Sequence, residues 1–452
     1  MRKKNYINSI SLVVIFLALI LLIYIGYKSE IIHQGNLRAY YTKYYILSSL
    51  LLFLTIFIYF LRDEVKSKLI IIFISIFFSL YLLEYFLIYT KLSAEWKFRS
   101  KERIIESKKQ KKFFDERSKY QFYLDFKKDY PNAVISVGPN FLKDSSENIF
   151  NFGGIANRPT VLCNENGFFA TYNSDRYGFN NPDSEWKKEE IEYLLIGDSF
   201  VHGYCVYQKD TISGNLKSKL RNSGSVISLG VAGIGPLAEY GILREYSKKK
   251  TKRIIWVYCG ENDIEDFYNE KKIKILNKYL NDKGFSQNLV SKQDKIDELL
   301  IDRISKNESS YKLRFFKLYN LRTLLFGRWR QIFQNNEESP QFPLQEFENI
   351  FNEVKSYSND INAKLYFVYL PSHYPYYKKS SQKKTTEFIH YQKILKLIGK
   401  HNIPIVDLHE KFFIKQKDPA IFFPFKTPGH LTPEGYKLIT NVIYDTIQQY
   451  EK

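Results

Sequence analysis

A serine hydroxyl becomes a nucleophile only where the fold holds it exposed, near a base and near donors that can take an oxyanion's charge. Ser199, in the run Gly197-Asp198-Ser199-Phe200, directly follows the apolar stretch Tyr193-Leu194-Leu195-Ile196, so it falls where a buried strand opens into a loop. Two further runs carry the residue types that would complete such a site. Gly260-Glu261-Asn262-Asp263 follows Arg253-Ile254-Ile255-Trp256-Val257-Tyr258 and offers a side-chain amide as donor. Gly429-His430-Leu431-Thr432-Pro433-Glu434-Gly435-Tyr436, near the C-terminus, offers an imidazole as base. Serine, amide and imidazole in this order after predicted strands are the parts of an acyl-transfer site.

On these three runs the chain resembles the SGNH (GDSL-like) hydrolases, over roughly residues 190–450. The resemblance implies Ser199 as nucleophile and His430 as base. It implies an oxyanion hole made by the Ser199 backbone N–H, the backbone of Gly233 (in Gly230-Val231-Ala232-Gly233-Ile234-Gly235-Pro236) and the side chain of Asn262. Gly230 and Gly235 compete with Gly233 for that role. The family places an aspartate two or three residues before the histidine, to orient the imidazole and stabilise its cation; here those positions are Pro428 and Thr427. A backbone carbonyl could take the imidazole proton instead, a carboxylate could arrive from elsewhere (Asp407 and Asp418 are nearest in sequence), or the site could be impaired. The expectation is a working Ser–His dyad.

The elements that must position these residues alternate along the chain. Thr211 to Arg221 reads as a helix, Ser225 to Leu229 as a buried strand, Pro236 to Lys250 as a helix and Arg253 to Tyr258 as a strand. Lys364 to Leu370 and Ile403 to Val406 complete a five-strand parallel set, closed by a helix over Pro433 to Gln449. Near-continuous apolar strands alternating with helices indicate an α/β fold, a three-layer doubly wound parallel sheet. Such sheets gather their sites at the strands' carboxyl ends, where Ser199, Gly233 and Asn262 all fall. Residues 264–350 interrupt the order with a charged, mostly helical insertion, read as a cap or lid. Residues 113–190, rich in turn signals such as Asn164-Glu165-Asn166-Gly167, read as an accessory region of short strands and loops that roofs part of the cleft.

Other candidates read more plainly. Asp198 and Asp263 are expected to be structural, the second fixing the loop that aims Asn262. His202, three residues after Ser199, has poor room to act as the base, and His373 is read as a solvated loop histidine. Arg176 pairs with Asp175 or Asp183 in preference to a substrate anion. Cys163, Cys205 and Cys259 show no framework spacing and read as buried small apolar residues. No metal-ligand spacing and no cofactor fingerprint occurs, and the glycines of residues 230–235 lack the dinucleotide spacing. A formal net charge of +19 over 452 residues raises nucleic acid as a partner. With no zinc-finger spacing and no RNA-binding aromatic motif, a composition bias spread over the whole chain is the better account.

Three apolar stretches open the chain: Ile10 to Tyr27, Tyr44 to Leu61 and Leu69 to Tyr89. Each approaches the ~20 residues that cross a hydrocarbon core, so residues 1–90 read as a three-helix transmembrane anchor. Glu84, expensive in lipid, is expected to face a neighbouring helix or the interface. Arg2, Lys3 and Lys4 argue for a cytoplasmic N-terminus and an external C-terminal domain, whereas nine basic residues from Lys91 to Lys112 argue the reverse. The resemblance tips the expectation outward. The basic segment 91–112 is expected to lie on the surface or touch headgroups. Together these point to a membrane-anchored serine esterase or deacylase acting on acylated glycan or lipid, within the catalytic region 191–452. An O-acyltransferase on the same site, or a non-catalytic glycan-binding module, are the alternatives.

Overall fold

The computed structural model describes every residue except 1, 33, 34, 36, 90–97, 140, 143–148, 222, 248–249, 261–262, 326–342 and 377–380. It divides into two compact units, residues 1–94 with 313–331 and residues 95–312 with 332–452.

The first unit is built on helices α1 (Arg2–Gly26), α2 (Arg38–Tyr59) and α3 (Asp63–Tyr89). Each contains an 18-residue stretch apolar enough to cross a membrane, with mean hydropathies of 2.8, 1.5 and 2.3. Their packing inverts that of a water-soluble bundle. Ser11, Ser48 and Thr55 are buried, while Phe16, Ile46, Phe53, Ile71 and Phe78 are exposed. The three hydroxyls donate to carbonyls of their own helices, so these small residues let the helices approach without stranding a polar group. Glu84 of α3 is fully buried. Its carboxylate accepts the backbone N–H groups of Asn320 (2.9 Å) and Leu321 (2.8 Å) and the Asn320 amide (3.0 Å). These amides belong to the first turn of a helix over residues 319–325, whose unsatisfied N–H groups and dipole suit an anion. The residue thus faces a neighbouring helix, one of the two surroundings expected for it.

The second unit carries a five-stranded sheet in the order β5-β4-β6-β7-β8. Its strands are β4 (Ile191–Gly197), β5 (Val226–Ser228), β6 (Thr251–Cys259), β7 (Lys364–Leu370) and β8 (Ile405–Asp407). All adjacent pairs are parallel. Successive strand residues point to opposite faces, and both faces are apolar. Leu194, Ile196, Ile254, Trp256 and Phe367 join one buried cluster, with residues of the helices Pro236–Tyr246 and Leu344–Asp360. Tyr193, Leu195, Ile255, Val257 and Val368 join another, with residues of Ile212–Lys219 and Pro433–Tyr450. Trp256 shows how tightly the first face closes: its ring stacks on Phe351 and its indole N–H donates to Glu239 at 2.6 Å.

A smaller sheet precedes it, ordered β1 (Val134–Ile135), β2 (Pro159–Cys163), β3 (Ala170–Asn173). Ahead of it lie α4 (Phe98–Lys109) and α5 (Lys119–Asp129), the latter opened by a capping box between Ser118 and Gln121. Helix α4 departs from expectation. It does not lie wholly on the surface, because Arg103, Ile104 and Ser107 are buried and Gln110 just beyond it donates to the Phe425 carbonyl at 3.0 Å. Amphipathic spacing is the same whether an apolar face meets lipid or protein, which is why the basic run misled.

Candidate active site

Strand β4 ends at Gly197, whose φ of +153° and surroundings admit no side chain: a Cβ would stand 2.5 Å from Val201 Cγ2 and 2.7 Å from the Val257 carbonyl oxygen. The sharp exit places Asp198 as N-cap of the single-turn helix α6 (Ser199–His202), where its Oδ1 accepts the Phe200 N–H at 2.9 Å. Asp198 is therefore structural, as expected, although its Oδ2 also lies 3.4 Å from Ser199 Oγ. Ser199 opens that helix. A left-handed Gly203 ends it and turns the chain into Tyr204-Cys205.

His430 stands over the serine, with Nε2 2.8 Å from Ser199 Oγ. On its other side Nδ1 lies 3.0 Å from Oε2 of Glu165, which also accepts the His430 backbone N–H at 2.8 Å. An ionised carboxylate only accepts, so Nδ1 carries the proton and Nε2 is left to accept from the serine hydroxyl. Phe200 and Tyr204 flank the imidazole, each with its ring centre 4.8 Å away.

Glu165 is the residue that sequence reasoning missed. Burial works to raise its carboxyl, but the facing charges of His430 and Arg103 and the bonds from His430 outweigh it, holding the group at about 2. Arg103, from α4, donates through Nη2 to Glu165 Oε1 at 2.9 Å and to the Pro428 carbonyl at 2.7 Å. Gly429 makes room for this meeting: a Cβ there would lie 2.6 Å from Arg103 Nη2 and 2.7 Å from Glu165 Oε2. The nearer carboxylates go elsewhere. Asp407 accepts from Tyr391 (2.6 Å) and caps the following turn, and Asp418 pairs with Lys426 at 2.6 Å. Thr427 is buried and donates to the Pro424 carbonyl.

The loop carrying Glu165 is fastened to the serine's own segment. Cys163, the last residue of β2, forms a disulfide with Cys205, so two of the three cysteines are not the isolated apolar residues expected. Cys259 is buried and stands outside that disulfide. Asn166 donates its amide to the Cys205 carbonyl (3.1 Å) and reaches that of Leu431 (3.5 Å), tying the acid's loop to both the serine and the histidine segments. The signal existed in sequence: Cys163 lies two residues before the acid and Cys205 six after the serine. No spacing rule pairs two such cysteines across 42 residues.

Of the expected oxyanion donors, Asn262 lies outside the described residues. Asp263, the next described residue, accepts the Cys259 N–H through Oδ2 at 2.7 Å. The three competing glycines differ. The Gly235 amide is spent on Glu270 at 2.6 Å, and Gly230 is pressed against α6, where a Cβ would meet the His202 nitrogen at 2.2 Å. Gly233, at φ +80°, faces open space. His202 is buried edge-on to Tyr172, and burial pushes it down to about 4, so it stays neutral. His373 is also fully buried, its ring edge-on to Phe423, and is not the solvated loop residue expected from its place after a strand. Arg176 forms its ion pair with Asp183 at 2.8 Å.

No family model and no curated protein matches the chain. Among solved structures it is similar to a protein of the G-D-S-L lipolytic family from Desulfitobacterium hafniense DCB-2, with 13% identity and a TM-score of 0.33, over 57% of this chain and 99% of that one. It is also similar to the acetyl xylan esterase AlAXEase, with 11% identity and a TM-score of 0.32, over 57% and 100%. A third is AlinE4, an SGNH-hydrolase family esterase, with 12% identity and a TM-score of 0.25, over 58% and 97%.

Proposed function

We propose that this chain is a membrane-anchored serine esterase of the SGNH type, with a three-layer doubly wound catalytic fold. The observation that carries the reading is the unbroken relay from Ser199 Oγ through His430 to Glu165. Ser199 Oγ bonds to the ester carbonyl carbon as His430 Nε2 takes its proton, and Glu165 steadies the imidazolium that forms. The backbone N–H groups of Ser199 and Gly233 and the Asn262 amide hold the oxyanion. Collapse breaks the bond to the alcohol, which leaves with the proton from Nε2. Water then attacks the acyl-serine as Nε2 takes its proton, the acyl–Oγ bond breaks, Ser199 Oγ takes that proton back, and the acid leaves. A sugar hydroxyl in place of water would make the same site an O-acyltransferase.

The substrate class proposed is an ester-linked acyl group on cell-envelope glycan or lipid. We place the catalytic unit outside the cytoplasm. Three apolar helices after Arg2, Lys3 and Lys4 support that reading, and a disulfide beside the nucleophile fits an oxidising compartment. The test is covalent labelling by a fluorophosphonate, with acetyl-ester hydrolysis followed in the presence and absence of saccharide acceptors. Wild type is expected to label at Ser199 and Ser199→Ala not at all. Equal labelling of the two would sink the assignment.

A further inference from the structure

Helix α4 is the first helix after the apolar spans, and one of its side chains reaches the back of the relay. Arg103 is 5% exposed. Its two acceptors, Glu165 Oε1 and the Pro428 carbonyl, belong to the two segments that must stay in register: the loop of the acid and the loop of His430. A single guanidinium nitrogen therefore bridges acid and base from behind. Gly429, between those acceptors, has no room for a side chain.

We propose that Arg103 is a positioning residue for the reaction proposed above. It holds Glu165 at the distance at which its second oxygen meets His430, and it offsets the carboxylate's charge so that the imidazole is not trapped as its cation. The inference rests on the esterase reading and makes the helix following the spans a working part of the active site.

The electrostatic half has a definite sign. Glu165 alone favours the protonated imidazole, which cannot act as base; the guanidinium on the far oxygen opposes that effect. Among the described residues, other groups near the relay include His202, itself facing Lys119, then Tyr204, Tyr436, Asp198 and, beside Arg103, His373. Burial pushes both histidines down to about 4 and raises both tyrosines, so these four stay neutral between pH 5 and 9. Asp198 sits beside the serine, 3.4 Å from its Oγ, and is the same in every variant compared. Removing the Arg103 charge is therefore expected to move the acid limb of the rate profile upward. The shift should be about one pH unit, the scale for a unit charge on the far side of a carboxylate at an effective dielectric of about 20.

The experiment measures the rate of fluorophosphonate labelling at Ser199 against pH in the full-length protein in nanodiscs, so no natural substrate is needed. Arg103→Gln is expected to label about tenfold more slowly at its plateau, with the acid limb moved up by about one unit. Arg103→Lys keeps the charge but bridges both acceptors less well, so its plateau falls while its limb stays with wild type. A role in packing alone would lower both plateaus and move neither limb, and that result overturns the proposal. Should Arg103→Gln fail to fold, Arg103→Lys decides alone: a wild-type plateau and limb would show that the two-acceptor bridge does no positioning. A wild type that does not label at Ser199 overturns the esterase reading itself, a failure distinct from an unmoved limb in a protein that labels.

Discussion

Replacing Glu165 by glutamine tests the relay at its hidden end. Oε2 accepts two bonds from His430, at 2.8 and 3.0 Å, and Oε1 accepts one from Arg103 at 2.9 Å. A glutamine has one acceptor oxygen, so its NH2 must face a donor whichever way it turns. Facing His430, it forces Nδ1 to accept, which puts the ring proton on Nε2 and leaves nothing to take the serine's proton. Facing Arg103, it takes one of two acceptors from a buried guanidinium and sets two donors face to face. Two charge-assisted bonds at about 1.5–3 kcal/mol each amount to roughly 3–6 kcal/mol, or about 10²–10⁴ in rate. The assay is the second-order rate of fluorophosphonate labelling at pH 7.5, with the folded fraction read from a thermal melt. Asp407→Asn and Asp418→Asn serve as controls and are expected to stay within about twofold, since neither carboxylate touches the imidazole. A folded Glu165→Gln protein that loses less than about fivefold, or an Asp407→Asn that loses as much, refutes the assignment of the acid.

Two truncations separate the spans from the helix that follows them. A chain beginning at residue 95 keeps Arg103 and is expected to be soluble in mild detergent or none and to label at Ser199, whereas one beginning at 113 is expected to label at least tenfold more slowly; equal rates would show that α4 is dispensable. Reduction, or Cys163→Ser with Cys205→Ser, releases a loop closed over 42 residues, worth about 4 kcal/mol by chain entropy. The melting temperature and the labelling rate are expected to fall together, and an unchanged rate in the folded double variant would show that the acid's loop needs no staple.

The catalytic sheet was legible because its strands are apolar on both faces and separated by helix-length segments. Apolar continuity bounded by turns fixes a strand to within a residue or two, as Lys364–Leu370 shows. Ser199 and His430 were legible because the local chemistry that exposes each leaves a mark: Gly197 before one, Gly429 before the other. Glu165 left none. It comes from a turn 265 residues before the histidine, beside a different sheet from the one that leads into Ser199. Arg103 lay in plain view as one of many basic residues, and only burial distinguishes it from its neighbours. Long-range pairing is what a local pattern cannot carry, and the site's hidden half consists of nothing else.

The carboxylate of Glu84 sets a timetable for synthesis. With Asp63–Tyr89 as a membrane span, this group leaves the ribosome 236 residues before the Asn320 amide that will receive it. At 5–20 residues per second that is a wait of roughly 10–50 s. Through that interval the third span carries an acid without its final partner, which is costly unless its end stays at the wet edge of the bilayer. The helix of residues 319–325 then arrives as a latch. The unit of apolar helices is thus completed late, by a segment translated in the middle of the other unit.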